Sequence, residues 1–295
     1  MKSATDSVSQ DSNIERSAFA LPVKSTMAPS VRTFEKMKRL GASVTTILAM
    51  WLLWEFVYRT KLIDLTFFPP PSKFLTYIVK ENFSLGLGRD RSNVGVSVAS
   101  SFLRVFIGLS IAFVLAIFTG IIASIVPLIS YGILPLIRLL APLAPIAWIP
   151  LALALFGIGN VSAIALVFIG TYPVLVIAMV AAINQVDPEL LKTAGTLGAT
   201  QRQKLTYVIL PASLPSVFTM LRINFIAAWM SVLAAEMVGL RDGLGALILI
   251  GRESSNPDLI LAGMTLIGLS GFLIDQALLG LQKRFLWWEA DRKDL

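Results

Sequence analysis

The sequence predicts an all-α, polytopic membrane protein with about six transmembrane helices. Of its 295 residues, 56% are hydrophobic and 15% are charged, whereas soluble domains average about 45–50% apolar and about 25% charged residues. The mean hydropathy is +0.76. The apolar residues are concentrated in blocks that are long enough to cross a bilayer as helices, which is typical of membrane spans.

The composition also disfavours several classes of function. The chain contains no cysteine and no histidine, so disulfides, thiol chemistry, the commonest general base and the commonest metal ligand are all missing. Its net charge is +7. In a chain this apolar, basic residues at loop edges are better explained by anionic lipid headgroups than by nucleic acid. We therefore expect a lipid bilayer as partner, with no nucleic acid, no metal and no catalytic residues.

Six apolar stretches are predicted to span the membrane, at about residues 42–58, 97–125, 128–158, 161–183, 213–238 and 258–281. They define a transmembrane domain over 41–285, between a disordered tail at 1–40 and a short tail at 286–295. Basic residues lie directly before the first span and after the last: Lys36, Lys38, Arg39, Lys283 and Arg284. Because such residues stay in the cytoplasm, we expect a multi-pass protein with both termini cytoplasmic.

The third stretch is interrupted by four prolines: Pro135, Pro142, Pro145 and Pro150. Each proline removes a backbone donor and clashes with the preceding helical turn. Broken helix is tolerated at membrane depth only inside protein or beside water. Residues 134–156 are therefore expected to line a cavity or pathway, the alternative being a kinked helix that only packs.

The cytoplasmic loop 184–212 contains the clearest local signals. Asp187 is a capping residue, Pro188 suits the first helical position, and Glu189 places an acid in the first turn. This helix is expected to end at Gly198, and Thr200 with Gln203 forms a capping box for a second one. Pro211 and Pro215 are expected to end that helix and begin the next span. Two short capped helices in this place indicate a rigid element that docks onto a partner.

The loop resembles the EAA loop of ABC importer permeases. The resemblance is carried by Lys192-Thr193-Ala194, by Gly198 and by Leu210-Pro211, with the glycine-to-Leu-Pro distance kept. Lys192 and Thr193 stand where the pattern has Glu and Ala. Residues 138–159, 218–237, 243–245 and the closing LQKRFLWW resemble the branch that imports sulfonates, taurine, nitrate, bicarbonate or cyanate. The similarity covers about residues 43–288.

This resemblance implies a type I importer fold with two short cytoplasmic coupling helices, in the inner membrane. It also implies a permease homodimer, two cytoplasmic ATPase subunits that bind ATP and Mg²⁺, and an extracytoplasmic solute-binding protein. The chain itself would bind no cofactor and would be a non-catalytic subunit. The residues expected to couple to the ATPase are Asp187, Glu189, Lys192, Ala194, Gly198, Ala199, Leu210 and Pro211.

Polar, charged and aromatic residues inside the spans are candidates for lining the pathway, because intramembrane ionisable groups are costly. The candidates are Arg138, Pro145, Trp148, Pro150, Asn224, Trp229, Ser231 and Glu236. Packing is the alternative for both tryptophans. Glu236 has two alternatives, a gate or interface contact and a buried pair with an arginine. Asp275 is expected to be a structural partner.

Two other functions remain open from sequence. The chain has no GxxxxGK[ST] motif, so an ATP-driven transporter would need a separate ATPase. A stand-alone channel or an ion-coupled carrier is the main alternative, although carriers usually show related halves or acidic residues at the midplane. An intramembrane enzyme is the second alternative function. Within the anion importers, the closing LQKRFLWW and the FGIG at 156–159 are slightly closer to the sulfonate and taurine side.

Overall fold

The computed structural model describes residues 29–60, 68–80, 84–85 and 92–286. It divides into two units, 1–62 and 63–295. In the first unit, helix α1 spans Pro29–Arg59 and contains the predicted span 42–58. The expectation of a disordered tail up to residue 40 is wrong for 29–40, because the helix begins at Pro29, a residue suited to a first helical turn. Residues 1–28 and 287–295 of the predicted tails lie outside the described part.

The second unit begins with two small elements in the predicted loop 59–95. Helix α2 spans Pro71–Lys80 and buries Phe74 and Ile78. The short strands β1, Ser84–Leu85, and β2, Ser92–Asn93, pair in antiparallel register. Asn93 then caps the next helix by accepting a hydrogen bond from the backbone N–H of Gly95 over 2.8 Å.

Most of the remaining described residues form helices and helical turns. In chain order they are α3 Val94–Ile125, α4 Pro127–Leu140, a 3-10 turn Pro145–Trp148, α5 Ile149–Phe156, α6 Asn160–Asn184, α7 Pro188–Thr196, α8 Gln201–Gln203, a π-helical segment Lys204–Ile209, α9 Leu210–Glu236, α10 Leu244–Glu253 and α11 Pro257–Phe285. Among the described residues, four uninterrupted helices are long and apolar enough to cross a membrane: α3, α6, the continuous helix Gln201–Glu236, and α11. A fifth crossing is possible if α4 and the bent stretch after it count as one span.

The third predicted span, 128–158, is broken rather than merely kinked. Its two halves, Pro127–Leu140 and Pro145–Phe156, meet at an angle of 96°. Pro142 lies in the break and Pro145 opens the 3-10 turn. Pro150 lies in the first turn of α5, where its missing N–H would have no helical partner anyway. Pro135 is accommodated inside α4.

Helices α3 and α6 run parallel and pack closely through small residues. A Cβ placed on Gly108 would lie 2.8 Å from Val167 Cβ, and one placed on Gly120 would lie 2.8 Å from Met179 Cβ. The matching order of the two contacts shows that both helices run in one direction. Small side chains let helix backbones approach closely; buried on this face of α3 are Gly108, Ala112, Ala116, Gly120 and Ala123. Since α3 and α6 are parallel, the broken segment between them must carry the chain back towards the level where α3 begins.

Helix α11 packs antiparallel to both α9 and α10. A Cβ on Gly271 would lie 3.1 Å from Trp229 Nε1, and Gln282 Nε2 donates to Thr219 Oγ1 over 3.0 Å, so α9 and α11 run in opposite directions. On α10, a Cβ at Gly251 would meet Ile260 at 2.8 Å, while one at Gly263 would meet Ile248 at 3.2 Å. Helix α10 therefore runs back along the first turns of α11, and the chain between α9 and α10 turns within the depth of the bundle.

Candidate functional sites: a projecting loop and a buried ion cluster

Helix α7 is capped locally at its start, as the sequence predicts. Asp187 Oδ1 accepts a hydrogen bond from the backbone N–H of Glu189 over 2.8 Å, and Pro188 is the first helical residue. These contacts satisfy backbone donors that an α-helix leaves open at its N-terminus.

The other end of α7 closes in a Schellman motif around Gly198. The backbone N–H of Ala199 donates to Ala194 O, and that of Gly198 donates to Gly195 O, each over 3.0 Å. Gly198 has φ +79°, a conformation that side-chain-bearing residues rarely adopt. The Lys204 ammonium lies 3.2 Å from the position of a Cβ on Gly195, which places a cation at the negative end of the α7 dipole. Helix α7 is therefore held rigid at both ends by its own sequence.

The second short helix begins as predicted but does not end as predicted. Both arms of the capping box are present: Gln203 N–H donates to Thr200 Oγ1 over 3.3 Å, and Thr200 N–H donates to Gln203 Oε1 over 2.8 Å. From there the helix continues through the π-helical segment Lys204–Ile209 into α9. Pro211 has no N–H and its ring would clash with a regular preceding turn. The wider π turn, in which Leu210 N–H donates to Leu205 O, accommodates Pro211 instead of ending the helix.

The loop projects from the bundle with its side chains uncovered. No residue of α7, of α8 or of the π-helical segment is buried. Leu197 is 81% exposed and Tyr207 is 76% exposed. Of the predicted coupling residues, Ala194, Ala199 and Leu210 are half-buried, and the others, from Asp187 to Pro211, are exposed. Large apolar side chains that remain exposed on a rigid support are available as anchors for a partner.

A second site is a cluster of charged residues around Arg104, ten residues after Val94 and inside α3. Its Nη1 donates to Glu236 Oε1 over 2.7 Å, and its Nη2 donates to Asp242 Oδ2 over 2.6 Å. Its Nε donates to Asn160 Oδ1 over 2.8 Å. One guanidinium thus joins α3 to the start of α6, the end of α9 and the loop before α10.

Glu236 is the buried centre of this cluster, with no exposed surface. Its carboxylate also accepts hydrogen bonds from Ser101 Oγ, over 2.8 and 2.9 Å, and from the backbone N–H of Gly245 over 2.9 Å. Ser101 Oγ in turn accepts from Leu244 N–H over 3.0 Å. Glu236 therefore caps α10 from the end of another helix, and its negative charge is favoured there by the α10 dipole.

The close approach of the Glu236 carboxylate explains why residues 243 and 245 are glycines. A Cβ on Gly245 would lie 2.6 Å from Leu233 O and 2.8 Å from Glu236 Cβ, and a Cβ on Gly243 would collide with the Glu236 carboxyl group. In the sequence, the Gly-Leu-Gly at 243–245 was recognised only as part of the resemblance to the anion importers. For Glu236 itself, the buried pair with an arginine is the alternative that the structure shows.

The predicted pathway residues do not come together in one place. Pro145 packs against Gly170, beside Ser231, since a Cβ on Gly170 would lie 2.9 Å from the Pro145 ring and 3.3 Å from Ser231 Oγ. Trp229 lies on the opposite side of α9, against α11. There it borders a largely apolar cavity of about 270 Å³ that Phe272 and Asp275 also line.

The other candidates are placed individually. Trp148 is half-buried and packs against the cluster formed by Ile149, Ala152 and Leu166. Asn224 Nδ2 donates to Met220 O over 2.9 Å, which satisfies it within its own helix. Arg138 and Pro150 are exposed.

An ion pair between α9 and α11 completes the polar interior. Arg222 Nε donates to Asp275 Oδ1 over 2.7 Å, and Arg222 Nη2 donates to Asp275 Oδ2 over 2.9 Å. The structural role predicted for Asp275 agrees with this pair. A bidentate carboxylate partner therefore holds the Arg222 guanidinium across the interface between α9 and α11.

Comparisons with known proteins agree with this architecture. The chain is 29% identical to the taurine transport system permease TauC of Escherichia coli (strain K12) over 254 residues, which is 86% of this chain and 92% of TauC. It is 29% identical to the bicarbonate transport system permease CmpB of Synechocystis sp. over 245 residues, 80% of this chain and 85% of CmpB.

Among solved structures, a chain of the MetNI methionine ABC transporter in an inward-facing conformation superposes with a TM-score of 0.55 at 20% identity, covering 64% of this chain and 94% of that one. The fold is therefore that of an ABC importer permease. Residues 95–286 match the family described as binding-protein-dependent transport system inner membrane component. This chain belongs to that family of membrane permease subunits.

Proposed function

We propose that this chain forms the translocation pathway of an importer for a small organic sulfonate, driven by separate ATPase subunits that dock on the loop 184–212. The observation that carries the coupling role is the rigid, uncovered helix α7 with Leu197 at its tip. The chain has no P-loop sequence of its own, so the energy of ATP must reach it through a contact surface.

The proposed ATPase contact is an apolar anchor surrounded by charges. Leu197 and Tyr207 would enter pockets of the partner, and Glu189, Lys192 and Arg202, all exposed, would lie around them. Large apolar or aromatic anchors in pockets supply most of the energy of such interfaces. Lys192 replaces the acidic residue of the EAA pattern, so the partner groove is expected to offer an acceptor at that point.

The proposed assembly contains two copies of this chain, two ATPase subunits carrying ATP and Mg²⁺, and an extracytoplasmic solute-binding protein. It lies in the inner membrane with both termini in the cytoplasm and six spans per copy. Support for the assembly comes from the family, which is described as the inner membrane component of binding-protein-dependent transport systems, and from the similarity to a permease of a taurine transport system.

The proposed substrate is a sulfonate such as taurine. Support comes from the similarity to TauC over 92% of that protein's length and from the closing LQKRFLWW. Bicarbonate, for which CmpB is named, is the competing small anion. Titration of the solute-binding protein that co-purifies with this chain, using taurine, bicarbonate and nitrate in turn, distinguishes them by calorimetry. Tighter binding of bicarbonate or nitrate than of taurine would overturn the sulfonate assignment.

The docking role is tested with Leu197→Asp and its matched control Leu197→Met. Burying a leucine stabilises an interface by about 1.5–3 kcal/mol, so Leu197→Asp should weaken ATPase binding by about tenfold or more. Leu197→Met keeps an apolar side chain and should bind nearly as well as the unmodified chain. Affinity is measured by ATPase binding to the permease in nanodiscs. Equal affinity for both variants would mean that α7 is not the docking element.

A further inference from the structure

The loop 237–243, hereafter the strap, connects α9 to α10 and is not helical. Because α10 packs antiparallel on α11, the start of α10 does not lie beside the first residue of α11. It lies several turns further along α11, beyond Gly263. The strap therefore lies inside the depth of the bundle. Non-helical backbone at that depth is tolerated only where it is buried in protein or lines a water-filled space.

The backbone of the strap contains two points of unusual conformation. Gly239 has φ +145° and Gly243 has φ +107°, conformations that glycine adopts without a steric cost. Between them, Leu240 is 8% exposed and the Asp242 side chain is 51% exposed. The strap is thus a short segment between two permissive glycines, with one apolar residue turned inwards and one carboxylate at the surface.

The strap lies across from the loop that joins α5 to α6. A Cβ on Gly239 would lie 3.5 Å from the side chain of Ile158. Arg104 bridges the same gap, because it holds Asp242 in the strap and Asn160 at the start of α6. Two of the interruptions in the bundle, at 157–159 and 237–243, therefore meet at one arginine.

The two carboxylates on Arg104 differ in how easily they can leave it. Glu236 is fully buried and accepts further hydrogen bonds, from the Ser101 hydroxyl, which is shared between both carboxylate oxygens, and from Gly245 N–H. Separating it from Arg104 would leave a buried charge uncompensated. Asp242 is half-exposed, and water can hydrate its carboxylate when the ion pair opens. Arg104 would keep the Glu236 pair throughout.

We propose that the strap is a gate in the translocation pathway and that the Asp242–Arg104 ion pair is its latch. This rests on the proposed transport function. In the closed state the latch holds the strap against Ile158 and keeps Leu240 covered. Release of Asp242 lets the strap rotate about Gly239 and Gly243 and uncovers Leu240, while Glu236 keeps α10 in place.

The test uses the absence of cysteine in the chain. Leu240→Cys introduces a single thiol on the covered side of the strap, and its alkylation by the neutral reagent iodoacetamide is followed in purified permease in nanodiscs. Adding Asp242→Asn removes the latch charge at constant size and should raise the alkylation rate about fivefold, the upper range for a partly exposed ion pair. Asp258→Asn, which breaks the pair with Lys73 between α2 and α11, is the matched control and should leave the rate unchanged.

Salt provides a second measurement that needs no latch variant. The Arg104 side chain is only 4% exposed, and partly buried pairs are screened less than exposed ones. Raising the salt concentration from 0.05 to 1 M should therefore accelerate alkylation of Leu240→Cys by less than Asp242→Asn does, and should have no effect when Asp242→Asn is present. A rate that neither salt nor Asp242→Asn changes would overturn the latch. Alkylation is read on the permease alone, so a failure of ATPase docking would refute the proposed function without altering this result.

Discussion

Arg104 Nη1 and Glu236 Oε1 are 2.7 Å apart, and their side chains are 4% and 0% exposed. This ion pair joins two membrane helices at the point where two other segments of the bundle are interrupted. Glu236 is at the end of α9, and its carboxylate also accepts a hydrogen bond from Gly245 at the start of α10. The ion pair therefore fixes the end of α9 relative to the start of α10. Its contribution is best described as positioning, because a buried pair holds geometry more reliably than it adds net stability.

Removing one partner of this pair should be strongly destabilising. Glu236→Leu leaves Arg104 buried with the half-exposed Asp242 as its remaining carboxylate, and breaking a buried pair costs about 3–5 kcal/mol. Thermal unfolding of the purified permease measures the loss. Replacing both residues, as in Arg104→Met with Glu236→Leu, should recover part of the stability. A single variant as stable as the unmodified chain would contradict the buried arrangement.

Gly245→Ala should destabilise the protein for a steric reason. The added methyl would lie 2.6 Å from Leu233 O and 2.8 Å from Glu236 Cβ, and overpacking of this kind costs about 1–3 kcal/mol. Gly268→Ala is the matched control in α11, since nothing lies within 4 Å of its Cβ position. It should be neutral or stabilising by up to about 1 kcal/mol, the helix propensity difference. If the packing is correct, the unfolding temperature falls for Gly245→Ala and does not fall for Gly268→Ala.

Gly198→Ala should loosen the end of α7 without affecting the bundle. The residue has φ +79°, and a side chain in that conformation costs about 1 kcal/mol or more. Asparagine tolerates the left-handed region better than alanine, so Gly198→Asn should retain more function. The readout is ATPase activity stimulated by substrate-loaded binding protein, with membrane insertion as the control. Equal activity of the Ala and Asn variants would show that the Schellman turn is not needed for coupling.

The Arg222–Asp275 pair should depend on bidentate geometry. Both carboxylate oxygens are engaged, over 2.7 and 2.9 Å, and an ammonium cannot reproduce two parallel hydrogen bonds. Arg222→Lys should therefore lower the unfolding temperature nearly as much as Arg222→Gln does. If the lysine variant unfolds at the temperature of the unmodified chain, charge alone is sufficient at this interface.

Local features of the fold were predictable because their partners are close in sequence. Asp187 lies two residues from the N–H that it caps, and Thr200 lies three residues from Gln203. The same closeness made Gly198 readable as the end of α7. The π-helical segment was missed for a related reason: a proline signals that a regular turn is impossible, but not whether the helix stops or widens around it.

Contacts between distant residues were not predictable in this way. Arg104 and Glu236 were each recognisable as costly intramembrane charges, but 132 positions separate them, and nothing in either segment specifies the other. Asp242 was not among the candidates at all, because it lies in a polar loop where an acid is ordinary. For Trp229 the sequence left a pathway role and packing open, because its packing against Gly271 depends on how α9 and α11 cross.

The amino-acid sequence by itself determined the helical membrane architecture, the caps of the projecting loop and the positions at which the third span must break. These follow from hydrophobic block length, short-range hydrogen bonding and the chemistry of proline, all of which act within a few residues. Only the tertiary structure decided which charges meet, why Gly243 and Gly245 are glycines, and where the strap lies. Those outcomes depend on the packing of helices that are far apart in the chain, where burial makes each unpaired charge so costly that its partner determines the local geometry.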